Sequence, residues 1–135
     1  MRGSVSIRIG GLAPLSPPGW TAAGRHLIAG LELAVRATND GGGISGTPIE
    51  LIVRDTAADP KRAVAAVDEL AALGVTTLAG EYHSVVARAV ADRAVAIGLP
   101  FLCSSAVLDA LTSESTDWVA RLSPPQSRGW WLYAE

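Results

Sequence analysis

The residues with chemical potential sit at the ends of apolar runs. Ser84 closes the segment GEYHS (80–84), directly before a run of helical periodicity. A hydroxyl beside the free N–H groups of a helix's first turn makes an anion site. A carboxylate held there gains charge-assisted hydrogen bonds without an arginine. The same position also suits a plain N-cap, which stabilises a helix by about 1 kcal/mol. Trp20 lies in a long Pro/Gly-rich loop, APLSPPGWTAAG (13–24), where an aromatic either covers a pocket or anchors the loop. Ser104 and Ser105 follow an apolar strand and either donate to a ligand or open the next turn. Tyr82 offers a hydroxyl of the same kind.

Covalent chemistry has less to work with. A hydrolase would need Cys103 as thiolate, His83 as base and Asp109 or Glu81 to orient it. Cys103 closes an apolar strand, where a small buried thiol is the usual role. His26 and His83 stand apart from any Cys or carboxylate at ligand spacing, so neither a metal nor another cofactor is expected. Ile9-Gly10-Gly11 follows a strand, but no G-x-G-x-x-G opens the next helix, which removes a dinucleotide site. A phosphoacceptor domain would need acids after the first strand, and 13–20 contain none. The chain therefore reads as a binder, not an enzyme.

Alternating elements must position these groups. Strands are predicted over 5–12, 48–54, 75–79, 99–103 and 118–122. Helices are predicted over 21–39, from Asp59-Pro60 to Leu73, from Ser84 to Ile97, and from Gln126 onward. The first helix should bury Leu27, Leu31, Ala34, Val35 and Thr38; the third should turn Val86, Val90, Ala94 and Ile97 inward. Strand–helix alternation with short connections implies βαβ units. The expected fold is an α/β three-layer sandwich, a single lobe over 1–135 with a mostly parallel central sheet. The first strand alternates in polarity, which suggests a more exposed face. If strands one, three and four are neighbours, the loops 13–24, 80–84 and 104–109 converge beyond their carboxyl ends, where ligands bind in open α/β sheets.

Composition narrows the class of partner. Of 135 residues 49% are hydrophobic and 18% charged, a globular balance. The net charge of −2 and scattered arginines argue against nucleic acid. Every apolar run is broken short of the roughly 18 residues of a transmembrane helix, and MRGSVSIRIG does not read as a signal peptide. The single cysteine excludes an internal disulfide.

Three stretches, in order and spacing, resemble the periplasmic leucine/isoleucine/valine-binding proteins, the type I substrate-binding components of ABC transporters. They are IRIGGLAPLSPPGWTAAGRHLIAGLELAVRATNDGGGISG (7–46), PIELIVRDTAADPKRAVAAVDEL (48–70) and GVTTLAGEYHSVVARAVADRAVAIGLPFLCSSAVLDALT (74–112). The resemblance implies a small carboxylate-bearing ligand, such as a branched-chain amino acid. Ser84 matches the serine that holds the α-carboxylate. Ser105 and Val107 match positions that hold the carboxylate and amino groups; Val107 stands where threonine is usual, and Ser104 where proline is usual. Trp20 lies near the family's aromatic contact, and His83 replaces a loop cysteine. The resemblance also implies an N-terminal lobe without its second lobe, an ABC permease as partner of the full-length protein, and a periplasmic or extracytoplasmic setting. A ligand-sensing regulatory module of the same fold is the alternative. An isolated lobe is expected to form a homodimer or higher oligomer, with Trp130 and Trp131 buried against this lobe or another chain.

Overall fold

The computed structural model describes residues 5–114 and 116–134. Its elements alternate as expected: β1 (Ile7–Ala13), α1 (Thr21–Asp40), β2 (Ile49–Asp55), α2 (Pro60–Ala72), β3 (Thr77–Gly80), α3 (Ser84–Ile97), β4 (Phe101–Cys103), β5 (Val119–Arg121) and α4 (Gln126–Tyr133), with a short 3-10 turn at Asp109–Leu111. The strands form one sheet in the order β2-β1-β3-β4-β5, and every pairing is parallel. Strand order reverses between β1 and β3, which places a crevice beyond their carboxyl ends.

Local chemistry explains the helix ends. Asp59 is the N-cap of α2, accepting the N–H groups of Lys61 and Arg62, with Pro60 at the first helical position. Gly98 ends α3 in the left-handed conformation at φ 66°.

Two helices cover one sheet face. Leu12, Leu78, Phe101, Cys103 and Val119 point toward α2 and α3 and meet Val67, Leu70, Val86, Val90 and Ala94. Full burial of each large apolar side chain contributes roughly 1.5–3 kcal/mol. Ile97 departs from expectation: it lies 36% exposed, beyond the last turn that reaches the sheet. Among the described residues only α1 covers the opposite face, over β1 and β2. Gly24 and Ile28 are its buried residues, whereas Leu27, Leu31, Val35 and Thr38 are half-buried and Ala34 exposed. Beside α1 a shallow apolar groove is lined by Ile9, Leu31, Leu51, Thr77, Ala79 and Leu102.

Two further expectations are corrected. β1 is an interior strand; its alternation marks only the amino-terminal end, where Arg8 pairs with Glu50 at 3.0 Å, while Gly10–Ala13 are all buried. Trp130 and Trp131 are not buried against this lobe, being 66% and 75% exposed, because α4 turns no buried face to the sheet.

Candidate functional site

The loops after β1, β3 and β4 meet at the sheet's carboxyl end. Gly80 makes the close approach possible: its φ is +132°, and a Cβ there would lie 2.1 Å from the carbonyl oxygen of Leu12. The Ser104 N–H donates to the Gly80 carbonyl at 2.9 Å, joining the β4 loop to the β3 loop. Gly24 does the same for α1, which crosses the β1 loop so tightly that a Cβ would lie 2.0 Å from the Pro14 carbonyl oxygen.

Ser84 is the first residue inside α3, not its cap. His83 holds the N-cap position with extended φ and ψ, and no side chain caps the helix. The first intrahelical bond runs from the Ala87 N–H to the His83 carbonyl at 2.8 Å. The N–H groups of Ser84, Val85 and Val86 are therefore the orphan donors of the first turn. Val85 is exposed and Ser84 half-buried, so this end faces the crevice rim.

An aromatic wall stands beside it. The Trp20 N–H donates to His83 Nε2 at 3.1 Å, and the Trp20 and Tyr82 rings meet edge-to-face at 5.3 Å. Trp20 remains 59% exposed. Ser104 and Ser105 are both half-buried, with their hydroxyl oxygens 3.3 Å apart. The Val107 side chain instead lines an apolar groove with Pro124, Pro125, Trp130 and Tyr133 of the α4 region.

Two acids organise these loops, and local sequence reading misses both in this role. Glu81 is fully buried and adopts φ +47°. One carboxylate oxygen accepts the Thr56 hydroxyl at 2.8 Å; the other accepts the N–H groups of Tyr82 at 2.9 Å and His83 at 3.3 Å. Asp55, at the end of β2, accepts the N–H groups of Leu15 and Ala57 at 2.7 and 2.8 Å, the Ser16 hydroxyl, and Arg62 at 3.0 Å. Burial pushes the Asp55 carboxyl up. The Ser16 hydroxyl, the two N–H donors and Arg62 outweigh it and hold the group below the ordinary aspartate value. The sign of Glu81 is its position at a strand end; Asp55 also opens the Asp-x-x-x-Asp-Pro pattern of residues 55–60.

The groups considered for covalent chemistry are not assembled. Cys103 is fully buried, its thiol pushed up by burial, and its sulfur faces the Ala106 carbonyl at 3.9 Å. The His83 imidazole is occupied by Trp20. Among the described residues no cluster of three His, Cys, Asp or Glu side chains is placed to hold a metal.

A family model described as periplasmic binding protein matches residues 6–129. This chain belongs to that family. It is 35% identical over 124 residues to Leu/Ile/Val-binding protein homolog 7 of Brucella melitensis, covering 90% of this chain and 30% of that protein. It is 34% identical to BasB, the chemotactic signal transduction system substrate-binding protein of Halobacterium salinarum, covering 90% of this chain and 31% of that one. Among solved structures, LivJ, the branched-chain amino acid transporter substrate-binding protein of Streptococcus pneumoniae in complex with isoleucine, superposes with a TM-score of 0.85. That pair is 27% identical, covering 91% of this chain and 35% of LivJ. The periplasmic binding protein chain thus spans about a third of the length of the relatives it matches. Those relatives are binding proteins, not enzymes.

Proposed function

We propose that this chain is the N-terminal ligand-binding lobe of an ABC transporter substrate-binding protein acting outside the cytoplasm with a membrane permease. Its ligand is a small carboxylate-bearing molecule, an amino acid or a close relative. The observation that carries the reading is the amino-terminal end of α3. It combines three N–H groups without intrahelical partners with the hydroxyl of Ser84, at the switch point of the sheet. The ligand carboxylate sits on Ser84 and the N–H groups of residues 84–86. Ser104 and Ser105 face it from the β4 loop. Trp20 and Tyr82 supply an apolar flank. Val107 supplies only its backbone at a position where a hydroxyl is usual, which favours ligands that do not depend on a side-chain acceptor there.

The test is Ser84→Ala in a two-lobed protein carrying this lobe, titrated calorimetrically with L-leucine and L-isoleucine. The expected result is a loss of about ten-fold in affinity, about 1.4 kcal/mol. Unchanged affinity in a variant whose parent binds would overturn the assignment. The isolated lobe is expected to bind weakly, because closure of two lobes buries a ligand from both sides.

A second reading, ligand sensing for a signalling output, rests on the relation to the chemotactic protein BasB. Co-purification with a permease supports transport; co-purification with a signal transducer in its place supports sensing. Self-association of the lobe through Trp130 and Trp131, both exposed, is part of this proposal and is read by sedimentation.

A further inference from the structure

The aromatic wall is joined to the amino end of α3 through the His83 side chain. Trp20 holds the N-cap position of α1 and His83 that of α3, and neither helix is capped by its own side chain. The Trp20 carbonyl accepts the Gly24 N–H at 3.1 Å, and the His83 carbonyl accepts the Ala87 N–H at 2.8 Å; these are the first bonds of the two helices. The Trp20 N–H lies outside α1 and donates to His83 Nε2 at 3.1 Å. The bond thus runs from the start of one helix to the start of the other, across 63 positions of sequence.

His83 is itself held. Its N–H is accepted by the fully buried Glu81 carboxylate at 3.3 Å. The Tyr82 ring stands edge-on to the His83 imidazole at 5.4 Å and to the Trp20 indole at 5.3 Å. Edge-to-face pairs are directional, so they fix ring orientation as well as distance. The β1 loop has its other anchor at Asp55, which accepts the Leu15 N–H at 2.7 Å and the Ser16 hydroxyl. The loop is therefore pinned near its start by Asp55 and at its end by His83. Trp20 is 59% exposed, so packing alone does not fix it.

An imidazole nitrogen that accepts a hydrogen bond must carry a lone pair. Nε2 takes the Trp20 N–H, so the proton of the neutral ring belongs on Nδ1. We infer that His83 is a positioning residue for ligand selection: as the Nδ1–H tautomer it locks the start of α1 to the start of α3, and so fixes how far the Trp20–Tyr82 wall stands from the N–H groups of residues 84–86. The inference rests on the reading that a ligand carboxylate sits on α3 with its apolar body against Trp20 and Tyr82. The separation of those two features sets the length of body the lobe accepts, so His83 acts on specificity through Trp20. A site of this kind depends on supporting residues whose own geometry is locked.

Heteronuclear NMR on the ligand-free chain of 135 residues tests it, in buffer alkaline enough to keep imidazoles neutral. The His83 ring nitrogens should show the Nδ1–H tautomer, with a scalar coupling between the Trp20 amide nitrogen and His83 Nε2 across the hydrogen bond. His83→Leu keeps apolar bulk and removes the acceptor. It should lower Trp20 amide protection about five-fold and weaken the Overhauser contact between the Trp20 and Tyr82 rings. His83→Gln returns an acceptor oxygen and should recover protection to within about two-fold of the parent. The Leu78 and Phe101 amides, bonded to the Pro100 and Trp118 carbonyls, should be unmoved in both variants. The inference is overturned if the ring proton is on Nε2, if His83→Leu leaves the Trp20 amide and the ring contact unmoved, if leucine and glutamine behave alike, or if the core amides fall in parallel. The tautomer is read in the parent, so the test stands even if a variant does not fold. No ligand enters the experiment, so its failure is separate from failure of the Ser84 assignment.

Discussion

Replacing Glu81 by alanine should be among the most damaging single changes near the crevice that remove no core hydrocarbon. The carboxylate is fully buried and accepts three hydrogen bonds, from Thr56, Tyr82 and His83. Bonds to a charged acceptor contribute about 1.5–3 kcal/mol each, and a donor left buried without a partner costs about 1–3 kcal/mol. Two effects reduce the sum. The Thr56 hydroxyl can rotate toward another acceptor, and removing the carboxylate relieves the cost of burying its charge. The net expected loss is about 2–4 kcal/mol, a large share of the roughly 5–15 kcal/mol typical of a domain. With a urea slope of about 2 kcal/mol per molar, the midpoint should fall by about 1–2 M. Far-UV circular dichroism during urea titration measures it. Glu81→Gln, which keeps one acceptor oxygen and turns an amide N–H₂ toward the remaining donors, should fall between parent and alanine. A midpoint for Glu81→Ala within about 0.3 M of the parent would refute the claim that this carboxylate organises the loops.

Ser84→Ala should leave stability within about 0.5 kcal/mol of the parent, because the hydroxyl makes no cap bond; a loss near 1 kcal/mol in the same titration would restore the capping role. Gly80→Ala should cost about 2–4 kcal/mol, since the Cβ would lie 2.1 Å from the Leu12 carbonyl oxygen at φ +132°; a stable variant would mean that β1 and β3 can separate there. Asp55 predicts an acid limb. Its folded value lies below that of the unfolded chain, so between the two the unfolded state binds more protons. Its contribution is complete above an unfolded value of about 3.9 and is lost as pH falls toward the folded one. Asp55→Asn should flatten that limb in acid titrations of stability, and an unchanged limb would place the acid sensitivity elsewhere.

The fold was legible where local chemistry and periodicity agree. Asp59-Pro60 announces α2 because an acceptor and a fixed φ are both what a first turn requires. Val86, Val90 and Ala94 share a face at helical spacing and all three are buried. The family resemblance was legible through the order of three such units. The site was legible only in outline. Its loops converge as the strand order demands, but the residue before Ser84 takes the cap, a one-residue shift that side-chain type alone does not reveal. Glu81 reads locally as one acid in a polar loop; its partner Thr56 arrives from the end of β2, 25 positions earlier, through a tertiary contact no periodicity carries. Ala34 and Trp130 fail for the opposite reason. Helical spacing suits Ala34 to a buried face and sheer apolar size calls for cover over Trp130, and both are exposed among the described residues.

That one-sided sheet carries over to calorimetry. Leu102 stays 37% exposed, and Ala120 beside it on the edge strand is exposed as well, although the sheet is well packed on its other face. Unfolding changes the hydration only of surface the native state had hidden. Its heat-capacity increment should fall below the roughly 12–15 cal/mol/K per residue usual for globular proteins. A smaller increment flattens the curve of stability against temperature. The chain should then hold a nearly constant, modest free energy of unfolding from the cold to the warm side, with cold denaturation displaced further from the ordinary range.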